Sequence, residues 1–227
     1  MTKKEKKEEI SEEETQKKNK ISKQEKQVKW VIIITIIVIL ALIGTYWAIK
    51  WYTTEKSYFN YLGVRWDITN EGGKTSYRGE FSLPNVPSFG LYLTNDPRKN
   101  NVSIEVKDWG FYKKVITSYD TELEKCYNAV LAQVNLVYFL SGGLRREVIP
   151  GMFNETQAQE RNITFADCFT AKNQTVIMIR KSEVPSVYQS PLSRDCYVIN
   201  VGNCENLLAT EKFMLGVITF LKNKTTS

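Results

Sequence analysis

"TELEKCYNAVLAQVNLVYFL", residues 121–140, decides how the second half of the chain folds. Apolar side chains recur at 123, 126, 127, 130, 131, 134, 137 and 138, three and four apart, as one broad stripe on a helix. Thr121 and Glu124 fit a capping box at its start, and Gly142-Gly143 supplies a stop. The stripe is expected to lie on a core. "KVITSY" (114–119) just before it and "EVI" (147–149) just after it read as strands. Strand, helix and strand in that order make a right-handed crossover between parallel neighbours.

Outward from this unit the pattern stays β-rich. "YRGEFSL" (77–83), "FGLYLT" (89–94) and "VSIEV" (102–106) have no helix between them, so antiparallel pairing is expected. "TVIMIR" (175–180) and "CYVINV" (196–201) are further strands. The last runs into "CENLLATEKFMLGVITFLK" (204–222), a second helix with apolar positions at 207, 208, 214, 217, 218 and 221 and Asn203 as its expected cap. These elements predict one α+β (mixed-sheet α/β) domain with two main helices packed on the sheet.

Near the N-terminus stands "KWVIIITIIVILALIGTYWAIKW", residues 29–51. At about 1.5 Å per residue, the uncharged run from Trp30 to Ile49 spans about 30 Å, the depth of a hydrocarbon core. Trp30 marks one end; Tyr46, Trp47, Trp51 and Tyr52 mark the other, as interfacial rings do. A cleaved signal peptide would have an apolar region of about 7–15 residues and small residues at the cut, and this stretch has neither. The expectation is a transmembrane signal-anchor. Lys17, Lys18, Lys20, Lys23, Lys26 and Lys29 precede it, while only Lys50 and Lys56 follow before Arg65. By the positive-inside rule the N-terminus is cytoplasmic and the C-terminal domain extracellular, a single-pass type II arrangement in the cell membrane.

The chain thus divides into a Lys/Glu-rich cytoplasmic tail (1–29), an anchor (30–49), a short stem (50–57) and an extracytoplasmic domain (58–227). The tail carries 10 Lys and 7 Glu with no aromatic residue, a composition that cannot bury a core and predicts a solvated leader. The net charge of +6 is dispersed, and no basic cluster points to nucleic acid.

All four cysteines, Cys126, Cys168, Cys196 and Cys204, follow the anchor. An even number on the oxidising side predicts two disulfides. Nearness in sequence favours Cys196–Cys204, which leaves Cys126–Cys168. Five N-x-[ST] matches, at Asn101, Asn154, Asn162, Asn173 and Asn223, also follow the anchor and predict glycosylated, exposed loop positions.

The chain has no histidine. This excludes Ser-His-Asp and Cys-His nucleophile systems, histidine zinc sites and the most common general base. No metal site or cofactor is implied. "SGGLRRE" (141–147) follows a helix rather than preceding one, so it is a helix stop and not a phosphate loop. Asp120, Glu122 and Glu124 read as first-turn partners of a helix dipole. One ligand rim is conceivable where strands end, formed by Asn95, Asp96, Arg98, Asp120 and Arg180. Ordinary turn chemistry accounts for the same residues.

The function expected is non-enzymatic: an anchored domain that binds a partner protein, an envelope polymer or a small ligand. Its partners would be the lipid bilayer and another membrane or envelope protein. A histidine-independent hydrolase or transferase, and a small accessory subunit of a membrane complex, are the alternatives.

Overall fold

The structure, a computed structural model, describes residues 29–51, 57–83 and 86–226. The lysine-rich tail and residues 52–56 of the stem lie outside the described residues. Two compact units result, Met1–Lys56 and Ser57–Ser227.

The first unit contributes one helix, α1 (Lys29–Trp51), long and apolar enough to cross a bilayer and exposed along its whole length. Its two threonines keep their hydroxyls within the helix: Thr35 donates to the Val31 carbonyl at 2.8 Å and Thr45 to that of Ala41 at 3.0 Å. Neither hydroxyl therefore needs water as a partner.

The second unit is α+β and holds two sheets. The smaller is an antiparallel meander of β1 (Tyr58–Tyr61), β2 (Val64–Glu71), β3 (Lys74–Leu83) and β4 (Val86–Leu93). Its first two hairpins close through two-residue loops, Leu62-Gly63 and Gly72-Gly73, with positive φ at all four residues. That geometry matches the twist of the flanking strands and is cheapest for glycine.

The larger sheet has seven strands. Across it run β5 (Ser103–Glu105), β10 (Ser186–Gln189), β11 (Cys196–Gly202), β9 (Thr175–Ser182), β6 (Lys114–Tyr119), β7 (Glu147–Met152) and β8 (Thr164–Phe165). The five strands from β11 to β8 are parallel, and β10 runs against β11 with β5 parallel to β10. The expected crossover is present: β6 and β7 pair in parallel from Lys114↔Glu147 to Ser118↔Gly151, with α2 (Ala129–Tyr138) and a π turn (Phe139–Gly143) between them.

Three further helical pieces complete the unit: a 3₁₀ turn (Thr121–Lys125), α3 (Glu155–Glu160) and the 21-residue α4 (Asn206–Thr226). α4 and the end of α2 pack between the two sheets. One continuous core joins Trp66, Phe81 and Leu93 of the meander to Phe213, Val217 and Ile218 of α4 and to Ile177, Tyr197 and Ile199 of the larger sheet. The Phe213 ring stands 5.1 Å from Trp109 and 6.0 Å from Tyr197, both edge-on. Phe89 of β4 meets Phe139 of the π turn at 6.1 Å. Behind the larger sheet a second, smaller core collects Ile116, Val176, Val198 and Ala171 under the loop after β8.

Four expectations need correction. The single mixed sheet is two sheets: the early strands at 77–83 and 89–94 pair antiparallel within the meander, whereas the one at 102–106, expected to join them, lies parallel to β10 in the larger sheet. The helix starts differ: Asp120, not Thr121, caps the 3₁₀ turn by accepting from the Glu122 N–H, and α2 begins afresh at Ala129 after Asn128 at φ +65°. Asn203, at φ +47°, belongs to the turn before α4 and does not cap it. The disulfides are Cys126–Cys204 and Cys168–Cys196. Cys196 opens β11 and Cys204 lies beyond its far end. Seven residues of strand rise about 23 Å, whereas a disulfide needs Cα atoms within about 7 Å.

The fresh start at Ala129 also resets the helical phase. Leu123 and Cys126 are buried as expected, but on α2 the inward face is Ala129, Ala132 and Leu136, continued by Phe139 and Leu140. The expected core stripe from 127 to 138 faces outward.

Candidate functional site

In the larger sheet the chain steps from β6 to β7 to β8 in one direction and from β9 towards β11 in the other. The strand order therefore reverses between β6 and β9, where ligands gather in open parallel sheets. Asp120 stands there. Its N–H donates to the Ile179 carbonyl at 3.0 Å, one carboxylate oxygen accepts from Glu122 N–H at 2.9 Å, and the other from Lys181 N–H at 3.4 Å. Lys181 and Glu122 pair across the same opening at 3.2 Å. Both oxygens of the Asp120 carboxylate are thus engaged by backbone N–H groups of the chain itself.

The other four rim residues lie elsewhere. Asn95, just after β4, donates from both its backbone and its side chain to Glu211 of α4, at 3.2 and 2.8 Å. Thr94 adds its N–H at 2.6 Å and its hydroxyl at 2.8 Å. The Glu211 side chain is fully buried, and burial raises its pKa against the opposing effect of these donors. Four donors saturate the carboxylate, so it ties the meander to α4 and has no lone pair free for a substrate. Asp96 accepts from Arg98 at 2.7 Å, which holds the aspartate below the usual carboxylate range, and the Arg98 guanidinium lies 3.7 Å over the Phe59 ring. Arg180 projects from the opposite face of the larger sheet, alongside Val176 and Met178. There it donates to Asn200 Oδ1 at 2.9 Å and to the Tyr188 hydroxyl at 2.7 Å. The five residues do not form one rim.

One concave space was not foreseen. A cavity of about 210 Å³ lies under α2 at the carboxyl ends of β6 and β7, lined by Tyr119, Gln133, Leu136, Met152 and the Arg161–Glu124 ion pair. The Tyr119 hydroxyl is buried, with only the Gln133 side chain, beyond ideal hydrogen-bonding distance, to face it. Burial, reinforced by the charges of Glu124 and Asp120, pushes its pKa up to about 12. It stays a neutral phenol across the physiological range and offers no nucleophile. Among the described residues no cluster of carboxylates and cysteines is placed to hold a metal ion.

The exposed face of α2 is the most unusual surface of the domain. Val130 is 73% exposed, Leu131 41%, Val134 56%, Val137 38% and Tyr138 64%, and Tyr127, in the turn just ahead, is 73% exposed. From Ala129 to Gly143 there is no charged residue. Lys74 donates to the Tyr127 hydroxyl at 3.2 Å and fixes that end of the stripe. The sequence pattern grouped the apolar residues from 127 to 138 correctly but joined them to Leu123 and Cys126, which lie on the buried side of the break at Asn128.

All five sequon asparagines are exposed. Asn154 caps α3 by accepting from Gln157 N–H at 3.1 Å, and Asn223 lies in the last turns of α4 rather than on a loop. No protein-family model, no curated protein and no solved structure matches the chain.

Proposed function

We propose that the chain is a single-pass membrane protein whose extracytoplasmic domain works by binding, and that what it binds is protein rather than an envelope polymer or a small ligand. The observation that carries this reading is the uncharged outer face of α2. Four aliphatic and two aromatic side chains stand exposed beside one another there, with no charged residue from Ala129 to Gly143. The largest apolar patch on a typical monomer is about 300–600 Å² and is often functional. A solvated helix would gain by carrying Lys, Glu or Gln at these positions, which cost nothing in helix propensity.

The anchor reading draws support from α1 and from the two disulfides, which persist only in an oxidising compartment. The lysine-rich leader argues for a cytoplasmic N-terminus, and the exposed sequons are suited to glycan attachment. The reading is tested by chemical cross-linking on intact cells carrying the full chain, with protease added outside. Protease should digest the domain and spare a tag on the tail. A cross-linked protein adduct should form and should weaken when Val134→Glu or Val130→Glu places a charge on α2. An adduct indifferent to both substitutions, or none at all, would defeat the reading.

A further inference from the structure

We infer that the concave space under α2 is a binding site for a small neutral ring compound carrying a hydroxyl group, held through the Tyr119 hydroxyl and the Gln133 amide. This goes beyond the protein-binding role proposed above. It concerns the sheet-facing side of α2 rather than its outer face, and neither reading depends on the other.

A gap in the cover of the larger sheet makes the site. Parallel strands are normally covered on both faces. Here Thr117 and Tyr119 of β6 share the space with Gln133 and Leu136 of α2. Thr117 pairs in register with Pro150 of β7, and Tyr119 with Ile179 of β9. β6 and β7 each have a strand on either side, yet Thr117 is only half-buried and Pro150 is exposed. The gap lies at the carboxyl ends of these strands, beside the reversal of strand order between β6 and β9, where ligands gather.

Size and lining set the ligand. The volume of about 210 Å³ exceeds the ~150 Å³ of an apolar cavity that accepts benzene, so it holds one such ring with a small substituent. Leu136, Met152, Ile163 and Ile179 supply apolar walls, and few polar groups interrupt them, as is usual in a small-molecule site. Arg161 and Glu124 neutralise each other at 2.6 Å, so a charged ligand finds no unpaired opposite charge. The Tyr119 hydroxyl stays protonated and has no protein partner at ideal hydrogen-bonding distance. A buried polar group left in that state is costly. Gln133, which faces it, brings both a donor and an acceptor. A ligand hydroxyl between the two accepts from Tyr119 and donates to Gln133.

The test uses the full chain in detergent micelles and two probes, para-fluorophenol and fluorobenzene, followed by fluorine NMR. The phenol should bind saturably with Kd at or below about 1 mM, a strength within reach of so few atoms. Fluorobenzene should bind about tenfold more weakly, as loss of one hydrogen bond does. Tyr119→Phe keeps the ring in the wall and removes the hydroxyl. It should erase the preference for the phenol and leave fluorobenzene binding unchanged. Ile163→Trp, at a half-buried position, should fill the space and abolish binding of both probes. If that variant does not fold, Tyr119→Phe decides alone. Partition into micelles is common to every form and cancels between them. The inference falls if para-fluorophenol shows no saturable site below about 10 mM. It falls equally if wild type takes both probes alike, or if Tyr119→Phe keeps the preference. Water alone then answers the hydroxyl. The protein-binding role, read from Val134-dependent cross-linking, stands or falls separately.

Discussion

α2 and α4 reverse the usual relation between apolarity and burial. α2 has no charged residue yet is open to solvent along one side. α4 carries Glu211 and Lys212 in its middle and is buried nearly all round between the sheets. The difference lies in position within the layers. α4 has a sheet on either side, so even its polar residues must find partners there: Glu211 takes four donors from Thr94 and Asn95, and Lys212 donates to the Asn100 carbonyl at 2.8 Å. α2 touches the core through two alanines and a leucine, and the larger side chains point away. The helix that looks more hydrophobic is the one with a surface left over.

This contrast can be broken most forcefully at α4. Phe213→Ala removes the ring that packs edge-on against the stacked pair Trp109 and Tyr197 and should cost about 3–5 kcal/mol in chemical denaturation. Replacing Cys126 and Cys204 together by serine opens a link between residues 78 apart and should cost about 4 kcal/mol, read from the same curves. Glu211→Ala should cost about 3 kcal/mol, because it leaves the Thr94 and Asn95 donors facing no acceptor.

The Glu211 substitution also has a pH signature. The unfolded carboxyl titrates near 4.5 and the folded one higher. An acid whose pKa rises on folding binds its proton more tightly in the folded state. Its contribution to stability is complete below the unfolded value and is lost as pH rises through the folded one. The stability gap between wild type and Glu211→Ala should therefore shrink as pH climbs from 4.5 through that window. A gap that widens would contradict the assignment. The smallest effect belongs to α2: Val134→Glu should change stability by no more than about 0.5 kcal/mol, since the side chain is already in solvent. A large loss there would mean that the stripe packs on the domain after all.

The sequence was most legible where apolar runs were long. β3, β4, β6, β7, β9 and β11 fall on stretches whose composition announces them, as does the crossover from β6 to β7. β1, β8 and β10 are only four, two and four residues long, and short strands carry too few alternations to show a period. β2, "VRWDITNE", was legible but missed: Val64, Trp66 and Ile68 alternate with Arg65, Asp67 and Thr69, the period of a half-buried strand. The α2 stripe was read as a face but could not be assigned to a side, since periodicity records which residues point together and not what they meet. The disulfide pairing was legible in principle: a strand read at 196–201 already separates Cys196 from Cys204. The proposed rim failed for a different reason. Asp120 does lie at the reversal of strand order, but Asn95 and Arg98 belong to the other sheet, and nothing local in the sequence separates the two sheets.

The Cys126–Cys204 link has a mechanical meaning. It closes a covalent ring around α2, β7 to β11 and the entry to α4, with Cys168–Cys196 nested inside. A tug applied between Ser57 and the end of α4 bypasses residues 127–203, because the bridge carries the load across the 5.2 Å between its Cα atoms. Extension must begin in the meander and its tether to Glu211, which would act as the tear line while the rest of the domain keeps its shape under load.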